Sequence, residues 1–137
     1  MPSADPVAEV EAAMIAVRRR QTRRVFAGET GGDAGQQVLD ALEAMPLGVN
    51  GIAEALGVDQ PRASKLVAAA VAAGLVRREA DQRDGRRTVL LLTDAGHARL
   101  AEAHAYRQAR FAAAMNTWSP EERKTFADLL TRFVSAL

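Results

Sequence analysis

The sequence predicts a mainly helical fold that carries one small β-hairpin. Apolar residues recur at helical spacing over most of the 137 residues. Glycine, proline and capping residues punctuate those stretches. Two short runs rich in Val and Leu flank Asp81-Gln82-Arg83-Asp84-Gly85-Arg86, where Asp84-Gly85 is a hairpin signal.

Each element follows in order. Val7, Val10, Met14, Val17, Val25 and Phe26 set a first helix from about Pro6 to Phe26, ended by Gly28 to Gly32. Asp33 and Gln36 have capping-box spacing before a second helix whose stripe is Val38, Leu39, Leu42 and Met45, stopped by Pro46. A short third helix spans Asn50 to Leu56. Gly57 is placed to end it in the left-handed region, and Asp59 to cap a fourth helix that tolerates Pro61 in its first turn and stops at Gly74. Strands follow at Leu75 to Glu79 and Arg87 to Thr93. A further helix reaches about Thr117. Ser119 and Glu122 then form a capping box, with Pro120 at the first position of a last helix. Its stripe of Phe126, Leu129, Leu130, Phe133, Val134 and Leu137 runs to the final residue.

Composition bounds the function. The chain is 48% hydrophobic and 26% charged, a balance expected of one globular domain over 1–137. It has no cysteine, which excludes disulfides and zinc-finger chemistry. No apolar run is long enough to span a bilayer, and the acids among Met1 to Val10 are unlike a signal peptide, so a cytoplasmic protein is expected. The net charge of +1 says little, because 18 Lys and Arg nearly balance 17 Asp and Glu. Between Asp59 and Leu90, however, seven bases (Arg62, Lys65, Arg77, Arg78, Arg83, Arg86, Arg87) face four acids (Asp59, Glu79, Asp81, Asp84).

Two short helices, a tight turn and a hairpin in this order make a winged helix-turn-helix, with the hairpin as a two-stranded β-wing. At about 100° per residue, Ala63, Leu66, Val67, Ala70 and Val71 share one side of the fourth helix. Pro61, Lys65, Ala68, Ala69 and Ala72 lie opposite, a slim face suited to a major groove. Gln60, Arg62, Ser64 and Lys65 occupy the turns that reach base edges. By themselves these four are also compatible with a solvated helix face. The hairpin arginines Arg83, Arg86 and Arg87 favour double-stranded DNA, because a protruding arginine can enter the minor groove beside it.

From Pro46 to Leu100 the chain resembles the MarR family, the multiple antibiotic resistance regulators. The likeness rests on Ile52-Ala53-Glu54-Ala55-Leu56-Gly57-Val58, the helix start Pro61 to Val67, Ala73-Gly74-Leu75-Val76-Arg77-Arg78, and the wing. In the wing, Asp84-Gly85-Arg86 is similar to the family's Asp-x-Arg hairpin, and Leu92-Thr93-Asp94-Ala95-Gly96 to its Leu-Thr-x-x-Gly. The resemblance implies a recognition helix with Gln60, Pro61, Arg62, Ser64 and Lys65 at the major groove. It also implies a wing of Arg83, Asp84, Arg86 and Arg87, in which Arg86 reaches the minor groove and Asp84 steadies the basic side chains. A DNA-binding lobe over about 34–93 and N- and C-terminal dimerisation helices over about 6–27 and 94–137 follow from it. So does a homodimeric transcription regulator, a repressor released by a small aromatic or anionic effector, with Arg18 and Arg23 as candidate effector contacts. Phe126, Leu130, Phe133 and Leu137 are the expected dimer contacts, because an apolar stripe with nothing after it to cover it is a liability in a monomer.

The remaining constellations carry less. His97 and His104 stand about 10.5 Å apart along a helix, too far to share a metal, so no metal and no cofactor is expected. Ser119 fits a cap rather than a nucleophile, and no catalytic set assembles, so an enzyme is not expected. The run Arg18, Arg19, Arg20, Arg23 and Arg24 reads first as a solvated helix side. Trp118 and Tyr106 read as core or dimer-interface residues. The alternative function is a protein-interaction or structural module in which the basic residues only solubilise.

Overall fold

The structure is a computed structural model that describes residues 5–22 and 34–137. Six helices and a two-stranded sheet are present among them: α1 (Pro6–Thr22), α2 (Ala34–Ala44), α3 (Val49–Leu56), α4 (Gln60–Ala72), β1 (Val76–Ala80), β2 (Thr88–Leu92), α5 (Asp94–Ala114) and α6 (Pro120–Ser135). The predicted end of the first helix at Phe26, the Gly28 to Gly32 stop, and the Asp33 member of the first capping box lie outside the described residues. They form two compact units, one ending at Arg107 and the other Gln108–Leu137.

The core of the first unit gathers one face from each of α2, α3, α4, the hairpin and α5. Val38, Leu39 and Leu42 of α2 meet Ile52 of α3, Ala63, Val67 and Ala70 of α4, Val76 and Leu90 of the hairpin, and Leu100 of α5. α4 buries the face its periodicity predicts: Ala63 and Val67 are fully buried, while Lys65, Ala68, Ala69 and Ala72 are exposed.

Glycines end α3 and α4 in the same way. Gly57 (φ 67°) and Gly74 (φ 78°) take the left-handed conformation that other side chains resist. The next amide then reaches back five residues, Val58 to the Ala53 carbonyl and Leu75 to the Ala70 carbonyl, both at 3.0 Å.

The hairpin is antiparallel, with register from Val76 opposite Leu92 to Ala80 opposite Thr88. It has a third partner that the sequence did not reveal: the Leu90 amide donates to the Leu47 carbonyl at 2.8 Å, which ties the α2–α3 link to β2. Thr93 fastens the hairpin to its flanking helices. Its hydroxyl donates to the Gly74 carbonyl at 2.6 Å and accepts from the Gly96 amide at 3.0 Å. Gly96 is required there, because a Cβ at this position would collide with the Leu75 carbonyl.

The hairpin loop falls where the sequence placed it, with β1 and β2 joined by residues 81–87 around Asp84-Gly85, and Gly85 is not among the positive-φ glycines. Two aspartates build the loop: Asp81 Oδ1 accepts from the Arg83 amide at 2.9 Å and Asp84 Oδ1 from the Arg86 amide at 3.1 Å. Such side chains mimic a backbone turn two residues on, and the Asp81 amide donating to the Arg87 carbonyl at 2.8 Å closes the loop.

In the second unit, the Ser119–Glu122 capping box is present, at 3.1 Å and 2.8 Å. The Arg123 guanidinium donates to the Met115 carbonyl at 2.8 Å, satisfying an acceptor at the end of α5. Trp118 meets Phe126 edge to face, with centroids 5.2 Å apart. No residue of α6 is buried. Trp118 and Tyr106 are 37% and 39% exposed, which removes the core reading for both.

Candidate nucleic-acid interface

α4 is positioned from its first turn. Asp59 is extended, and its Oδ1 accepts from the Arg62 amide at 2.9 Å, supplying one of the partners that a helix start lacks. The turn from α3 is only Gly57-Val58-Asp59, so α3 and α4 pack against each other on a shared core. With the inner face so fixed, Gln60, Pro61, Arg62, Ser64 and Lys65 are all exposed.

Arg83, Asp84, Arg86 and Arg87 are likewise exposed around the hairpin tip. Asp84 holds Arg86 through the backbone amide, whereas its side-chain contact is to Arg87, Nε to Oδ2 at 3.7 Å. Arg77 is paired with Glu79 on β1. None of the ion pairs among the described residues involves Arg62, Lys65, Arg83 or Arg86, so these four cations have no acidic partner there.

The start of α4 and the base of the hairpin border one depression. A cavity of about 640 Å³ is lined by the α2–α3 link and first turn of α3 (Pro46 to Gly51), by Gln60 at the start of α4, and by Asp81 and Arg87 to Val89 of the hairpin. Gln60 of α4 and the hairpin base are therefore walls of the same depression as the α2–α3 link. Asn50, exposed on α3, is part of it. Sequence reading missed Asn50, since an isolated amide in a short helix has no distinguishing local signal.

The other sequence-predicted sites lie elsewhere. Arg18 is exposed on α1, and Arg23 lies outside the described residues. Phe126, Leu130 and Leu137 are 43%, 39% and 88% exposed on or just after α6, with Phe133 half-buried. His104 Nε2 lies 2.8 Å from Glu43 Oε2, and Arg107 contacts its Nδ1 at 3.1 Å. Arg107 Nη2 also lies 3.8 Å from Asp40, so α2 and α5 are joined by a charged cluster. Among the described residues no group of three His, Cys, Asp or Glu could hold a metal ion, and no helix is long and apolar enough to cross a membrane.

Comparison with known proteins bears on the fold. A search of curated protein sequences finds no significant match. Over nearly the full length, the fold is similar to that of RV1404 from Mycobacterium tuberculosis, at TM-score 0.76 and 20% identity, covering 99% of this chain and 97% of that one. It is also similar to MepR, a transcription regulator of the Staphylococcus aureus multidrug efflux pump MepA, at TM-score 0.66 and 19% identity over 97% and 98% of the two chains. The PcaV transcriptional regulator from Streptomyces coelicolor aligns at TM-score 0.58 and 26% identity over 91% of this chain and 96% of that one. Residues 37–87 match the model of the MarR family. That stretch holds most of α2, all of α3 and α4, β1 and the hairpin tip. Over those residues the chain is similar to the MarR family, and its winged helix-turn-helix fold is that of the transcription regulators named above.

Proposed function

We propose that the chain is a transcription regulator that binds a pseudo-palindromic operator in double-stranded DNA as a homodimer, and represses by occluding a promoter. The observation that carries this reading is the shared depression: Gln60 of α4 and Arg87 of the hairpin both line it, while Arg62, Lys65, Arg83 and Arg86 on the same two elements are exposed with no acidic partner among the described residues. A helix with a slim outward face fits a major groove, and a hairpin arginine beside it fits the adjacent minor groove. In this division the lobe over about 34–93 reads DNA, and the helices over about 6–27 and 94–137 pair the subunits. A two-fold pair presents two recognition helices to successive major grooves. The activity is binding, without chemistry, and belongs in the cytoplasm.

Release by a small aromatic or anionic ligand completes the proposal, with Arg18 and Arg23 as candidate contacts. PcaV, crystallised in complex with its natural ligand, supports it by likeness of fold. A ligand acts here by its differential affinity for two separations of the recognition helices.

Selection of bound duplexes from a random pool tests the main reading and reports half-site spacing at once. Expected is a two-fold related motif whose affinity falls steeply with salt as counterions are released. Retention of no duplex, or retention indifferent to salt, would favour the protein-interaction module instead.

A further inference from the structure

α2 and α5 carry a charged cluster that the recognition surfaces do not use. Both carboxylate oxygens of Glu43 lie within hydrogen-bonding range of His104 Nε2, at 3.1 and 2.8 Å. Three positions on, Arg107 Nη2 stands 3.1 Å from His104 Nδ1 and 3.8 Å from Asp40, whose Oδ1 accepts from Gln36 Nε2 at 3.2 Å. A guanidinium has donors only, so His104 Nδ1 accepts, carries no proton, and leaves the single ring N–H on Nε2 for Glu43. The geometry is that of a neutral imidazole.

That state leaves the cluster unbalanced. Two carboxylates on α2, Asp40 and Glu43, are set against one guanidinium on α5, and Arg107 gives its hydrogen bond to a residue of its own helix while Asp40 stays beyond that range. A proton on His104 Nδ1 would supply the missing positive charge and at the same moment remove the acceptor that holds Arg107. The imidazolium then repels the guanidinium, and Asp40 is the carboxylate beside it. Two ion pairs would cross between the helices, His104 with Glu43 and Arg107 with Asp40, where one shared hydrogen bond crosses now. Among the described residues Glu43, Asp40 and Arg107 are the charged groups placed around this imidazole.

We propose that this cluster is a proton-operated clamp: His104, on taking a proton from solvent, passes Arg107 to Asp40 and tightens α2 against α5. Histidine is the side chain whose charge changes between about pH 5 and 8, so the clamp works in the physiological range. α2 also supports the recognition helix, because Val38, Leu39 and Leu42 share a core with Ala63 and Val67 of α4. An effect on duplex affinity follows through that core, and this consequence rests on the DNA-binding reading above.

Double-mutant cycles in urea unfolding test the clamp at about pH 5.5 and about pH 8. One cycle pairs Glu43→Gln with His104→Gln and the other Asp40→Asn with Arg107→Gln. Asp40 and Glu43 are exposed and His104 and Arg107 half-buried, so every variant keeps the apolar core. Both couplings should be larger at the acid pH, by about two- to fivefold in the unfolding equilibrium constant, the worth of a partly exposed ion pair. In a His104→Gln background the Asp40–Arg107 coupling should lose its pH dependence, which two independent surface pairs would not do. Affinity for a duplex recovered by selection should change between the two pH values by about two- to fivefold more in the parent than in His104→Gln, while His97→Gln follows the parent. Couplings equal at both pH values, an Asp40–Arg107 coupling whose pH dependence survives His104→Gln, or a His104→Gln protein with the parent's affinity ratio would overturn the clamp. A parent that retains no duplex overturns the proposed function alone, since the couplings are read without DNA.

Discussion

α4 and α6 are both amphipathic helices introduced by a proline and a side-chain cap, yet their apolar stripes meet opposite fates. On α4, Ala63, Val67 and Ala70 are buried by α2, α3 and the hairpin of the same chain. On α6, Phe126, Leu129, Leu130 and Val134 are 39–56% exposed and nothing is buried. Periodicity alone announces that a face must be covered, not what covers it. The stripe that its own chain covers fixes which side of α4 faces outward. The uncovered one, where apolar area stays in contact with water, is the surface that the proposed homodimer would close.

One substitution made on each stripe would break this comparison most visibly. Val67→Asp puts an uncompensated charge in a site with no exposure, and should cost on the order of 3–5 kcal/mol, abolishing cooperative unfolding in urea near room temperature. Leu130→Asp should leave the first unit folded by circular dichroism while shifting sedimentation at micromolar concentration to a monomer, an expected loss of about 2 kcal/mol or more of association energy. A parent that is itself a stable folded monomer at that concentration would sink the dimer.

Smaller effects sharpen the outward side. Arg86→Ala should weaken every operator variant by about 1–3 kcal/mol and flatten the salt slope by about one, because a minor-groove arginine reads potential and shape. Arg62→Ala should instead relax preference at one position of each half-site by about 1–3 kcal/mol. Parent-like binding by Arg86→Ala at every salt concentration would remove the wing from the interface. Smallest are the caps. Asp59→Ala and Ser119→Ala should each cost about 1 kcal/mol of stability in thermal melts. Only Asp59→Ala should also reduce duplex affinity, since it loosens the turn that carries Gln60 and Arg62.

Local signals were read well from the sequence, because each depends on neighbours within a turn or two. Gly57 and Asp59 bound the helix-turn-helix turn, Gly74 ends α4, and Ser119 with Glu122 opens α6, as their side chains and backbone preferences dictate. The inner and outer faces of α4 followed from a period of 3.6 residues. The hairpin was legible as an element, with its loop around Asp84-Gly85, but not the two side-chain turns that Asp81 and Asp84 form within that loop.

Sequence by itself thus determined the order of elements, their caps and the polarity of their faces. Tertiary structure alone decided what meets across the chain. Leu47 pairs with Leu90, Gly96 makes room for the Leu75 carbonyl, and Glu43 reaches His104 sixty-one positions away. It also brought Asn50, Gln60 and Arg87 to the walls of one cavity. Capping and periodicity act over a few residues, and the conformational preference of each short segment encodes them. Which distant segments become neighbours is settled only when the chain trades its conformational entropy for a shared apolar core, and no single segment carries that information.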